Sequence, residues 1–126
     1  MIKEIIISII IIISIISLDF ITQNYTEETV AITSTKLSEL KKEIKNNGKN
    51  RSERLDEILK SWKERRTKLA YFIEHDELEK VETNFTNIKS YIEEEEIQMA
   101  ISSIDEAEYV LEHIKRKNTF ELENIF

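Results

Sequence analysis

LSELKKEI at residues 37–44 returns 48 residues later as FTNIKSYI at residues 85–92. The two stretches place apolar side chains at the same three positions: Leu37, Leu40 and Ile44 in the first, Phe85, Ile88 and Ile92 in the second. Intervals of three and four put each trio on one face of a helix. A second echo follows, with Leu55 and Ile58 recurring as Ile101 and Ile104, 46 residues on, so the second break is two residues shorter. The repeating unit therefore reads as a helical hairpin, and two hairpins close into an up-down-up-down bundle. Tetratricopeptide arrays also use such hairpins, but their tryptophan, glycine and proline signature is missing and the copies are too few for a solenoid.

The flanking residues fit this scheme. With no proline and one glycine, the composition favours helix throughout. Val30 extends the first stripe, and NNGKN at 46–50 ends it, with Gly48 expected in the left-handed conformation that closes a helix. Ser52, with Glu53 in the first turn, is expected to cap a second helix carrying Leu55, Ile58, Leu59, Trp62, Leu69, Phe72 and Ile73. Asp76 is the expected cap of a third, bearing Leu78, Val81, Phe85, Ile88 and Ile92. A fourth carries Ile97, Ala100, Ile101, Ile104, Ala107, Leu111 and Ile114.

Upstream, the pattern changes character. Residues 5–18 read IIISIIIIISIISL, without a charge between Glu4 and Asp19. Fourteen residues rise about 21 Å as a helix, which suits the core of a signal peptide, while residues 2–21 reach about 30 Å, the thickness of a hydrocarbon core. Lys3 can snorkel to the headgroups. The following DFITQNYTEE offers no A-x-A site, so an uncleaved anchor is favoured over a cleaved signal. A buried core helix fits poorly, since every face is apolar and the remaining chain is too small to surround it. Lys3 is the sole basic residue before the run and the next is Lys36, so the positive-inside rule places the N-terminus in the cytoplasm and the body outside.

Lys3 and Glu4 cancel, so the net charge of −7 belongs to the roughly 105 residues beyond the run. Such a body repels nucleic acid, and no nucleic-acid partner is expected. The chain has no cysteine, which excludes disulfides and a lipidated thiol. The expected fold is all-α: a transmembrane anchor at 1–22, a small antiparallel bundle of two hairpins at 23–117 and a tail at 118–126.

WKERRTKLAYFIEHDELEKVE at 62–82, LEHI at 111–114 and the terminal ENIF at 123–126, with the MIKEIIISIIIII opening, resemble the domain of unknown function 4363 family. The resemblance covers essentially the whole chain. It implies a short bacterial membrane-associated protein with a helical remainder, and it carries no catalytic or binding residues to transfer.

Chemistry-bearing residues are sparse. His75 and His113 each follow a glutamate, in FIEHDE (72–77) and VLEHIK (110–115). Parallel second and fourth helices would bring both to one end of the bundle, the end facing the bilayer. A metal site of His75, His113 and neighbouring carboxylates is one reading. The Glu-x-x-His pattern of di-iron bundles is absent, because Phe72 and Val110 hold the glutamate positions. The plainer reading makes both histidines cap the last turns of their helices, where a cation is favoured. Trp62, Tyr71, Phe72, Phe85, Tyr91 and Tyr109 could form a ligand cage, but helical spacing points to packing. Lys60, Lys63, Arg65, Arg66 and Lys68 could seat a phosphate, but a solvated face paired with acidic helices is the simpler expectation. Glu93–Glu96 lacks the loop spacing of a calcium site. There is no Ser/His/Asp grouping, Gly-rich phosphate loop or Cys/His cluster, so neither an enzyme nor a cofactor is expected.

The tail, with Phe120, Leu122, Ile125 and Phe126, is expected to pack under the bundle, dip into the bilayer interface or bind a partner. Taken together, the sequence reads as an interaction or structural module anchored at the cell envelope, touching lipid through residues 2–21 and, with so little chain inside, acting laterally on a membrane protein or outwardly. The alternative is an extracytoplasmic ligand- or metal-binding sensor using His75 and His113. Oligomeric state leaves no mark in the sequence.

Overall fold

A computed structural model describes the backbone of residues 1–125 and the side chains of residues 1–119. Four helices follow in order: α1 (Ile2–Lys45), α2 (Arg51–Leu69), α3 (His75–Glu93) and α4 (Ile97–Ile125). Among the described residues, each helix packs on its neighbours in chain order and α1 also packs on α4, closing the ring, with no contact across the diagonals. The α3–α4 interface is the most extensive and the α2–α3 interface the thinnest. This is the expected all-α bundle of two hairpins, with the long apolar segment forming the first part of α1.

The apolar stripes meet along the axis. Leu37, Leu40 and Ile44 from α1, Leu55 and Ile58 from α2, Phe85 and Ile88 from α3, and Ile104 and Leu111 from α4 are all buried in one core. Each such side chain contributes about 1.5–3 kcal/mol relative to leaving it in water. Trp62 meets Phe85 edge to face, ring centroids 5.7 Å apart, and bridges the thin α2–α3 interface. Lys41 to Asp105 at 2.6 Å and Ser38 to Glu108 at 3.1 Å tie α1 to α4 and set their antiparallel register.

The repeat extends to the turns. Asn47 takes φ 55° and Glu95, 48 positions on, takes φ 58°. In the first turn Gly48 N–H donates to Glu43 O at 2.8 Å and Asn47 N–H to Ile44 O at 3.2 Å; Glu96 and Glu95 repeat both bonds to Tyr91 O and Ile92 O. Both hairpins thus close through a Schellman motif. The left-handed position falls on Asn47, not on the expected Gly48, because asparagine tolerates that conformation. Gly48 is used differently: the Glu43 carboxylate lies where its Cβ would be and accepts the Asn50 N–H at 3.1 Å. Asn50, not Ser52, occupies the cap position of α2, and Glu74, not Asp76, that of α3.

Helix α1 runs unbroken for 44 residues, about 66 Å, so residue 22 marks no break in the backbone. Its first half stands clear of the bundle: each isoleucine from Ile5 to Ile16 is 46–59% exposed, with no buried face. Its second half buries Thr26, Thr29, Val30, Thr33, Leu37, Leu40 and Ile44. Helix α4 likewise continues past residue 117 to Ile125. The side chains of the expected tail, Phe120, Leu122, Ile125 and Phe126, lie outside the described residues.

Candidate functional site

The end of the bundle where α1 enters gathers most of the polar chemistry. Helix α2 stops at Leu69, whose carbonyl accepts Phe72 N–H at 3.0 Å and Ile73 N–H at 2.8 Å, turning the chain within four residues. Phe72 and Ile73, expected to prolong the α2 stripe, therefore sit in this turn, half-buried against the core. Glu74 is extended (ψ 136°), and its carbonyl accepts the Glu77 N–H at 3.1 Å, starting α3.

His75 is consequently the first residue of α3 rather than the last of α2. The expectation that it caps a helix C-terminus fails, because the tight turn ends α2 six residues earlier. Its Nε2 is 2.8 Å from Glu79 Oε1 and its Nδ1 is 3.4 Å from Arg66 Nη2. Those contacts match the neutral tautomer that donates from Nε2 and accepts at Nδ1. His113 lies inside α4, not in its last turn, with Nε2 3.8 Å from Glu77 Oε1. The two histidines share one end of the bundle but face different carboxylates. Among the described residues no three histidines, aspartates or glutamates converge in a way that could hold a metal ion.

Glu77 is the group the sequence reading missed. It is 7% exposed, Lys80 Nζ stands 3.5 Å from its Oε1, and its Oε2 has no hydrogen-bond partner. A buried carboxylate is costly unless compensated. Here Lys80 and the positive end of α3 supply the compensation, since Glu77 occupies the first turn. Its signal was its place four residues before Val81 on the buried stripe. Beside it, Lys117 Nζ donates to Glu74 Oε1 at 2.9 Å, and that bond, then the lysine's charge, holds the Glu74 carboxyl below its ordinary range.

On the α1 side, Tyr25 organises a second cluster. Its ring meets Phe72 edge to face at 6.3 Å, with the Arg65 guanidinium 5.4 Å and the Lys68 ammonium 5.7 Å from its centroid. Arg65 also donates to Thr29 Oγ1 at 3.2 Å and reaches Glu28 at 3.4 Å, while Arg66 pairs with Glu82. Part of the basic stretch is thus paired with acidic residues of α1 and α3, while Lys60, Lys63 and Lys68 stay exposed. The six aromatics do not form a cage. Trp62 and Phe85 are core, Phe72 and Tyr91 flank it, and Tyr71 and Tyr109 point into solvent.

Starting at this end, an open groove of about 850 Å³ runs along α3 and α4, lined by Asp76, Glu79, Asp105, Glu106 and Tyr109 among others. Its acidic lining makes it hostile to anions. The run Glu93–Glu96 ends α3, forms the second hairpin turn and is exposed.

No curated protein and no solved structure matches the chain. A family model does: the one described as Domain of unknown function (DUF4363) matches residues 20–125, the whole bundle portion of the chain. The chain belongs to that family.

Proposed function

We propose that this protein is a single-pass membrane-anchored helical module that works through protein contacts at the bacterial cell envelope, without catalysing a reaction. The observation that carries this reading is the first half of α1, an apolar helix exposed on every side and continuous with a core helix of the bundle. Its length and composition suffice to cross a membrane. Its polar atoms need little water: Ser8 and Ser14 return their hydroxyls to Glu4 O and Ile10 O, each at 2.8 Å. Lys3 before the span, with no further lysine or arginine until Lys36, favours a cytoplasmic N-terminus and an extracytoplasmic bundle.

The non-catalytic part of the proposal is supported by how the base uses its titratable groups. His75, His113, Glu74 and Glu77 are each engaged with a neighbour across or along the helices, as structural pairs are. Photo-crosslinking in intact membranes followed by affinity capture tests the reading. A reproducible membrane-protein or envelope partner supports it, whereas stoichiometric metal or small molecule on the purified chain would replace it with the sensor. Protease added to spheroplasts should degrade the bundle; full protection would reverse the orientation.

A further inference from the structure

The α2–α3 turn holds a large aromatic residue that the core does not use. Tyr71 is 86% exposed, more than any other large hydrophobic side chain of the bundle among the described residues. Its neighbours Phe72 and Ile73 are only half-buried. Those two pack against the core, but Tyr71 gains nothing from a water-facing turn, where glycine, asparagine or aspartate is the ordinary choice.

The register between α1 and α2 says what this turn faces. Arg54 pairs with Glu39 and Arg65 with Glu28, so eleven residues down α2 match eleven down α1. Continuing that step, and consistent with the Tyr25–Phe72 ring contact, the turn lies level with about residues 21–25 of α1. The apolar run ends at Ile21, where Phe20 and Ile21 are still exposed. Each headgroup layer is about 5–7 Å thick, or roughly four helical residues beyond the hydrocarbon edge. The turn therefore falls at the depth where tyrosine is favoured, with its ring among the acyl boundary and its hydroxyl among the headgroups.

We propose that the α2–α3 turn is a second membrane contact, in which Tyr71 lies in the headgroup layer of the bilayer that α1 spans and seats the bundle directly on the lipid surface. This rests on the reading of α1 as an anchor and adds a partner for a site outside it. The surface it fits is zwitterionic lipid, because the exposed charges at this end are mixed, with Glu28, Glu74 and Asp76 standing beside Lys68 and Arg116, so neither sign dominates. Two contacts fix the tilt of the bundle, which a single helix crossing leaves to rotation.

The absence of native cysteine permits a clean test. Tyr71→Cys, Ile16→Cys and Lys49→Cys, each in the full chain, would carry a nitroxide label in phosphatidylcholine vesicles. Collision rates with oxygen, which partitions into lipid, and with a water-soluble nickel chelate report depth. At 71 the oxygen-to-nickel ratio should exceed that at 49 several-fold, approaching but not reaching the ratio at 16. Equal ratios at 71 and 49, with 16 still in lipid, would overturn the second contact and leave the anchor standing. Water-like ratios at all three sites would overturn both. Since Tyr71 is so exposed, its replacement removes nothing from the core.

Discussion

Ile12 and Leu40 stand 28 residues apart on one unbroken helix, the first 54% exposed and the second fully buried. Both halves of α1 carry apolar residues, and what separates them is density and pattern. Around Leu40 the apolar residues recur at three and four, so one stripe is hidden by α2 and α4 and the opposite face is polar. Around Ile12 they fill every position, and no arrangement of a small bundle can cover them all. Helix continuity through Thr22, with neither glycine nor proline near it, means that the two halves cannot adopt independent orientations. Under the proposed anchor, the lipid-solvated half dictates the pose of the protein-packed half.

The sharpest way to break this comparison is a matched truncation. Leu40→Ala should destabilise the bundle by about 2–5 kcal/mol in denaturant titrations of the micelle-solubilised chain. Ile12→Ala should change the same titration by less than about 0.5 kcal/mol, since Ile12 touches no core residue. Equal effects would mean that the first half packs on protein after all. Next in size, Ile12→Lys should reduce membrane insertion by about 2.5–3.5 kcal/mol, read as loss of the alkali-resistant membrane fraction, while leaving the bundle's denaturation midpoint unmoved.

A smaller effect belongs to the junction. Arg65 grips α1 just where it enters the bundle, through Tyr25, Glu28 and Thr29. Arg65→Ala should cost about 1 kcal/mol and raise amide exchange in residues 22–30 ahead of the upper bundle. The smallest is electrostatic. Because the Lys117 bond lowers the Glu74 pKa from 4.5, the folded chain holds that proton less tightly than the unfolded chain does. The stabilisation is thus present above pH 4.5 and fades as pH falls through the folded value. Glu74→Gln should flatten the acid side of the melting-temperature profile, with no comparable change on the alkaline side.

Much of the bundle was legible because the repeat constrains it twice. The stripes at 37–44 and 85–92 share a register, and the breaks at Asn47 and Glu95 then fall 48 residues apart with the same hydrogen bonds. What sequence reasoning misplaced was conformation at single residues. Gly48 drew the left-handed assignment because glycine is the usual occupant, while Glu95 shows that the turn tolerates a side chain there. The α2–α3 turn was harder, since Phe72 and Ile73 continue the apolar period straight through a point where the backbone leaves the helix. That continuity shifted His75 onto the wrong helix. Tyr71 and Tyr109 were placed among packing aromatics by spacing alone, but Tyr71 sits in the turn and Tyr109 lies off the Ile104–Ala107–Leu111 face. Glu77 stayed hidden because a charge on a buried stripe reads as solvent-facing until its partners are seen.

The central claim is that one helix passes from lipid into a protein core. A single-cysteine scan along residues 5–40, in vesicles treated with a water-soluble maleimide, tests it most directly. The account predicts protection at every position from 5 to 18 without periodicity, then protection beyond residue 22 confined to the face of Thr26, Thr29, Thr33, Leu37 and Leu40. Periodic protection within 5–18 would mean that a protein partner, not lipid, covers the run, and uniform labelling there would contradict a membrane anchor outright.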